Sequence, residues 1–574
     1  MPWRCQPQHR LTLYWSVIAP EKSRAQIEAE KWILVVPYAP GKYCLPLCTL
    51  PFRRWMLFIA SFVAQFCNGS LYAWSILNPH IDSYIQGRSM DAMPTQNGTG
   101  SGSQSTSSLP PDQKAVVTFY VAAGVLGFAA ALSGPFVERH GPRHSLIVAL
   151  CLLFVGHVAA FLSMQYKSYV GLYIGYGVFC GAGYGIGYIA PVSALMKWYP
   201  DLRGTAGGFA VCGFGVGAVA WGDVYEPLIA AVGMNCFFLV FGSIISGILL
   251  ISAFVLRTPP PNYVVSGRNV HGVKVSMPPT ESEKLQGHSE STERVSVVLE
   301  EIRNGNYMNV FDYQKQELGE AEILYHNKVK SLRIRECVFS IEYLLLYLVF
   351  IGAVATGIIL MSRVFSIGKG VFRQDDHKLT HLVMYLALCN FLGRLVCPLL
   401  SDAFIQIAQL NPAFGRKIIV GLLLVDQVVV LAFLKSLIQD PNAFGLFQVV
   451  VFFLTFSYGG AIGIMPSLLT DMFGVYNSGT MHGIILTAWS ICAVGGGLTF
   501  QHYFFKIKDS YPMEQMREGE TAAYIFNFHW LMVIACIGLA LVPLVRTNPV
   551  DRFYPGYQYS VCGRPLVRIT KKDY

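Results

Sequence analysis

Between residues 54 and 545 this chain returns again and again to apolar runs long enough to span a bilayer, about 20 residues each. Nothing constrains its fold more. Inside about 30 Å of hydrocarbon every backbone polar group must be satisfied within the segment, so each run has to be a helix. Composition agrees, because 53% hydrophobic and 13% charged residues in a 574-residue chain leave too little charge to cover a soluble surface. The formal charge of +9 falls mostly in loops and tails. It therefore reads as membrane topology, and no nucleic-acid partner is expected.

Twelve spans are expected, in two sets of six. The first set lies near 54–78, 114–136, 145–163, 169–196, 204–230 and 235–256. The second lies near 341–362, 380–401, 417–435, 443–468, 479–503 and 524–545. The predicted fold class is thus an all-α integral membrane protein built from two six-helix halves, at 53–256 and 341–546. Residues 257–340 turn polar ("TPPPNY", "PPTESEK") and suit a cytosolic linker, a plain tether or a regulatory segment, with one short helix around "ERVSVVLEEI". Residues 547–574 form a cytosolic tail. Residues 1–52 read as a cytosolic extension, an organelle-targeting extension or the product of a misassigned start, and "WILVVPYA" is too short to span.

The halves share a repeat. Pro191 precedes Gly204-Thr205 by thirteen positions, and Pro466 precedes Gly479-Thr480 by thirteen. In the same register Trp198 matches Phe473 and Gly208 matches Gly483. Such two-half architecture places a substrate site near the midplane, between the halves. The loop after span two reads "GPFVERHGPRH", and the loop after span eight keeps Asp402 at the acidic position and ends in "GRK". The first resembles the cytosolic signature of the major facilitator superfamily, with Glu138 for the usual Asp and Pro142 for one Arg. That resemblance implies the major facilitator fold, with Glu138, Arg139, Arg143 and Asp402 as gating residues that latch the ends of the halves.

Basic residues set the topology. Arg53, Arg54, Arg139, Arg143, Lys197, Arg203, Arg416 and Lys417 fall on one side with the linker and tail, against Lys369, Arg373, Lys378, Lys506 and Lys508 on the other. The balance puts both termini in the cytosol. Asn97, in "NGT" of the Gly/Ser-rich first outer loop, is then a glycosylation acceptor facing outward, whereas Asn68 lies inside span one. The target is the plasma membrane or an organelle membrane.

Three stretches narrow the family: "NGSLYAWSILNP", "GAGYGIGYIAPVSALMKWYPDLRGTAGG" and "NFLGRLVCPLLSD". Together they resemble the oxalate/formate antiporter family, itself close to monocarboxylate transporters. The likeness spans the membrane domain without the tail, first outer loop and linker. Glycines 181, 183, 185 and 187 let helix backbones approach closely, either to slide during transport or simply to pack. Tyr184 and Tyr188, one helical turn apart, share a face and with Tyr72 and Trp74 would make an aromatic cage.

Arg394 is the residue that most needs an explanation. It lies eight residues before Asp402, roughly 12 Å deeper along a helix. Arginine at a span centre costs about 2.5–3.5 kcal/mol. Facing a cavity, its planar fork can hold a carboxylate; the competing reading is an internal salt bridge to Asp426. The family resemblance implies the first. It also implies a lysine in span eleven after "T-A", where this chain has Trp489. One cation anchors one carboxylate, and a dicarboxylate's second charge would stay unpaired in a dry cavity. The expected substrate is therefore a small monocarboxylate of the formate, pyruvate or lactate class, with Trp489 as apolar wall or as ordinary packing.

Coupling stays open between proton symport and exchange against a counter-anion. No Asp or Glu falls mid-span in spans one, four, seven or ten, and Asp426 and His157 read as packing partners. The alternatives are a carrier of oxalate, a sugar or nitrate on the same scaffold, or a membrane sensor that no longer transports. No nucleophile elbow, metal cluster or phosphate loop suggests an enzyme, and no cofactor or metal is expected. The chain is expected to act as a monomer.

Overall fold

The computed structural model describes residues 22, 24–33, 36–39, 42–44, 50–87, 114–260, 263–273, 324–325, 327–561 and 564–570. Among them ten apolar helices are long enough to cross a membrane: Met56–Gln86, Ala115–Gln165, Tyr169–Trp198, Arg203–Val255, Ile341–Met361, His377–Ala408, Pro412–Leu437, Phe444–Phe473, Ser478–Lys508 and Met516–Leu544. Two of these, of 51 and 53 residues, are about twice the length a bilayer needs. Each breaks at a glycine with non-helical backbone, Gly141 (φ 78°, ψ 170°) and Gly233 (φ 77°, ψ 155°). A side chain would be strained at that φ, so glycine is what lets one helix end there and the next begin. Pro142 follows with its φ already helical and no N–H to satisfy. The breaks raise the ten helices to twelve crossings, the number expected, numbered here in chain order.

Span one differs most from expectation. It passes through a 3₁₀ turn at Gly69–Ala73, resumes at Trp74 and runs through Pro79 to Gln86, beyond the expected end at 78. Proline is tolerated within membrane helices because neighbouring helices re-satisfy the freed carbonyl.

Small residues decide how closely the helices meet. A Cβ at Gly208 (span five) would lie 2.7 Å from the Arg394 carbonyl oxygen, and one at Gly463 (span ten) 2.5 Å from it. Span eight is therefore pressed between spans five and ten by two glycines. Gly463→Ala is expected to force these backbones apart, at about 1–3 kcal/mol of overpacking. A thermal unfolding midpoint in detergent lowered by several degrees would confirm this, and an unchanged midpoint would contradict it. The glycines of span four allow the same close approach: a Cβ at Gly181 would sit 2.9 Å from Ala122 O, and one at Gly183 2.9 Å from Ala149 O.

The described part of residues 1–52 docks on the linker-side ends of spans four and six. Lys22 Nζ donates to the Thr258 carbonyl (2.6 Å), and the Arg257 guanidinium donates to the carbonyls of Glu30 (2.5 Å), Trp32 (3.0 Å) and Ile33 (3.2 Å). Burial, reinforced by the nearby Arg143 charge, pulls the Arg257 pKa down to about 9. Over 263–273 the linker is held against both halves. Its hairpin pairs Val264–Val265 with Arg268–Asn269, Val270 O accepts from Arg203, and the His271 ring lies 5.3 Å from Tyr476. The tail folds into a hairpin of Gly556–Val561 with Arg564–Thr570. The helix expected around "ERVSVVLEEI" and the acceptor Asn97 lie outside the described residues.

Candidate substrate site and gate

Arg394 is 1% exposed, deep between the halves. Its Nε–H donates to Asn390 Oδ1 one turn earlier (2.9 Å), and an Nη1–H donates to the Val211 carbonyl of span five (3.1 Å). The guanidinium also lies 5.6 Å from the centre of the Phe214 ring. Among the described residues no carboxylate forms a salt bridge with it. Asp426, the candidate internal partner, accepts from Ser457 Oγ instead. A fixed charge is thus buried among neutral groups, which compensate it only in part.

Beside Arg394 is a cavity of about 20 Å³, lined from both halves by Tyr72, Leu126, Tyr188, Phe214, Arg394, Ile462, Leu486 and Trp489. On the same measure one water needs about 10–15 Å³, so this conformation is nearly closed around the guanidinium. Tyr72 and Tyr458 join hydroxyls across the halves at 3.2 Å, and Trp489 Nε1–H donates to Tyr458 Oη at 3.0 Å. Asn390 Nδ2 is buried with no partner among the described residues. The polar groups around the cavity are a cation, an amide donor, an indole N–H and hydroxyls; no carboxylate lines it. Such an arrangement suits an anion.

On the linker side the two acids cross between halves. Glu138 Oε1, at the end of span two, accepts from Gly479 N at the start of span eleven (2.7 Å), and the same carboxylate takes Ser193 Oγ (2.9 Å) and Lys197 Nζ. Asp402, at the end of span eight, accepts from Gly204 N (2.9 Å) and Thr205 N (2.7 Å) at the start of span five. Each acid therefore caps a helix N-terminus of the opposite half, where unpaired N–H groups and the helix dipole favour negative charge. Arg416 bridges Asp402 (2.9 Å) and Asp471 (2.8 Å), and Arg203 reaches Asp471 from the first half (2.7 Å).

Of the residues proposed from sequence, the structure brings Arg394, Tyr72, Tyr188 and Trp489 together around one cavity. Tyr184 is a correction. Its hydroxyl bonds Ser70 Oγ (3.0 Å) and Tyr176 Oη (3.1 Å), and it does not line the cavity. It shares a face with Tyr188 but sits one turn away, against the 3₁₀ turn of span one. Trp74 likewise leaves the cage, donating to the Ala115 carbonyl (3.1 Å). Glu138 and Asp402 each accept from a backbone N–H of the opposite half. Arg143 donates to the Ala253 and Phe254 carbonyls of its own half. Arg139 is half-buried near Glu138 in sequence. Sequence reasoning missed Asn390, Tyr458, Lys197, Arg203 and Asp471. Only Asn390 carried a local signal, lying four residues before Arg394 on the same helix face.

A bundle of twelve apolar helices in two halves, with a buried cation between them and crossed acid caps on one side, defines a multi-pass membrane transporter. The chain belongs to the major facilitator superfamily, whose family model matches residues 55–497. It is 22% identical over 441 residues to an uncharacterized MFS-type transporter, YhjX, of Escherichia coli K12, covering 77% of this chain and 86% of that protein. Shorter likenesses reach the oxalate:formate antiporter of Oxalobacter formigenes (32% over 126 residues, 22% of this chain and 29% of that one) and apicoplast pyruvate carrier 1 of Toxoplasma gondii (26% over 200 residues, 31% and 35%). Among solved structures, the fold is similar to an outward-facing bacterial homologue of the iron transporter ferroportin, with TM-score 0.52, 10% identity and coverage of 85% and 98%. It is similar also to the proton:xylose symporter XylE, with TM-score 0.51, 14% identity and coverage of 85% and 94%. At those identities the likeness is of fold alone.

Proposed function

We propose that this protein is a secondary carrier of a small monocarboxylate, of the formate, pyruvate or lactate class, working by alternating access between its two halves. One observation carries the reading: Arg394 is buried between the halves beside a cavity, without a carboxylate partner among the described residues. The substrate carboxylate would take the guanidinium and the spare Asn390 Nδ2–H, displacing the Val211 carbonyl. Tyr72, Tyr188 and Trp489 would enclose its small apolar end. Glu138 and Asp402 would hold the cytosolic side shut until substrate shifts the balance.

The buried cation without a carboxylate partner among the described residues favours this over a sugar, which carries no charge for a guanidinium to hold. The partial likenesses to an oxalate:formate antiporter and to a pyruvate carrier point to the same class of solute. With one fixed cation at the cavity, oxalate would keep a charge unpaired.

Uptake of labelled formate, pyruvate, lactate, oxalate, nitrate and xylose into vesicles containing the purified chain tests the reading. Saturable uptake confined to the monocarboxylates is expected; uptake of xylose or nitrate alone would refute it. Trp489→Lys puts a second cation at the cavity wall and is expected to admit oxalate, with an affinity gain of about tenfold or more for one new charged hydrogen bond. An unchanged oxalate response would break the one-cation argument.

A further inference from the structure

Span eleven places His482 between the cavity and the gate. It is fully buried, and neither ring nitrogen has a partner among the described residues. A neutral imidazole carries one donor and one acceptor, and leaving a buried polar group unmade costs about 1–3 kcal/mol. His157, by contrast, bonds the Leu153 carbonyl through Nδ1–H (2.7 Å) and leaves one ring nitrogen without a partner among the described residues, where His482 leaves two. His482 instead stacks on Tyr188 at 5.8 Å and 16°, and Tyr188 lines the Arg394 cavity. One turn further along the helix, Leu486 lines the same cavity; one turn back, Gly479 N binds Glu138.

We infer that His482 is the residue through which this carrier couples the movement of its carboxylate to the movement of a proton, an inference that rests on the carboxylate reading above. Among the described residues, the groups facing it leave the substrate as the one uncommitted negative charge. Span two offers Glu138, already taken by Lys197 of span four and by Gly479 N. Span four offers the neutral Tyr188, and span seven offers Tyr343, whose hydroxyl donates to the Met481 carbonyl (3.0 Å). Span ten offers Tyr458, committed to Trp489 and Tyr72, and the short helix Ile334–Val338 offers Glu336, which accepts from Arg333 N. With the cavity empty, an imidazolium at His482 has no free counter-charge among the described residues. With a carboxylate bound, the imidazolium is balanced and protonation is favoured. The proton enters from water on the side where substrate enters and leaves to water when the Glu138 cap opens. One proton and one anion cross together, with no net charge moved and no bond oxidised.

The test uses vesicles containing the full chain, labelled pyruvate and an imposed pH gradient, acid outside, with protein-free vesicles subtracting diffusion of the free acid. The wild type is expected to accumulate pyruvate, up to about tenfold per pH unit for one proton. His482→Gln and His482→Asn are expected to lose that accumulation while exchange of labelled for unlabelled pyruvate at equal pH is still measurable. Accumulation by either variant at the wild-type level would overturn the assignment. Loss of exchange in both would overturn it too, placing His482 in the substrate site instead. A wild type that carries pyruvate indifferently to the gradient removes the proton coupling alone. A wild type that carries no carboxylate removes the carboxylate reading with it.

Discussion

Arg394→Gln is expected to reduce carboxylate uptake by tens- to thousands-fold, with the chain still folded. Removing one partner of a buried, hydrogen-bonded charge pair costs about 2–5 kcal/mol, which is that range in binding. In the empty carrier the same change is mild. Arg394 there meets Asn390, Val211, the Phe214 ring and the Tyr188 hydroxyl, all neutral, so the change to glutamine strands no buried anion among the described residues. Folding and transport should therefore separate, with unfolding midpoints close to wild type and uptake near background. Arg394→Lys keeps the charge but loses the fork, so it should fall between the two. Equal uptake in all three proteins would remove Arg394 from the site. A Gln variant that unfolds would make the arginine structural.

The second large effect concerns the gate. Glu138→Gln with Asp402→Asn removes the charge from both crossed helix caps while keeping side-chain shape. A hydrogen bond to a charged group contributes about 1.5–3 kcal/mol, so losing both shifts the open-to-closed ratio by about two to four decades if the sites add. Spin labels at His140 and Gln406, exposed near the same two helix ends, report that separation in a background freed of native cysteines. The double variant is expected to populate a longer distance that the wild type visits rarely. Identical distance distributions would mean that the caps do not hold the closed state. Each single variant should lie between, because the second cap remains.

Both effects reach back to what the sequence makes legible. Apolar length alone locates the crossings, since a membrane leaves the backbone no choice but helix, and Gly141 with Pro142 marks one boundary without any structure. The repeat aligns Gly204 with Gly479, yet it cannot say that each is received by the acid of the opposite half. Those partners are 198 and 341 positions apart, and only the packing of halves brings them together. Arg394 is found by its cost. Its cavity partner Tyr458 is not, because a tyrosine in a glycine-rich span costs nothing unusual. Tyr184 fails for the opposite reason: helical spacing gives its face correctly but says nothing of the neighbour covering that turn. His482 lies two turns before Trp489 in the same span, and only its unpartnered nitrogens, which the sequence cannot show, distinguish it.

The most direct test of the account is equilibrium binding to the purified protein, which needs no transport cycle. Labelled pyruvate should bind the wild type saturably, be displaced by lactate and formate, and be indifferent to lactamide, which has nearly the same shape without the charge. Arg394→Gln should show no such binding. Displacement by lactamide as effective as by lactate, or undiminished binding by the Gln variant, would contradict a site built on one arginine and one carboxylate.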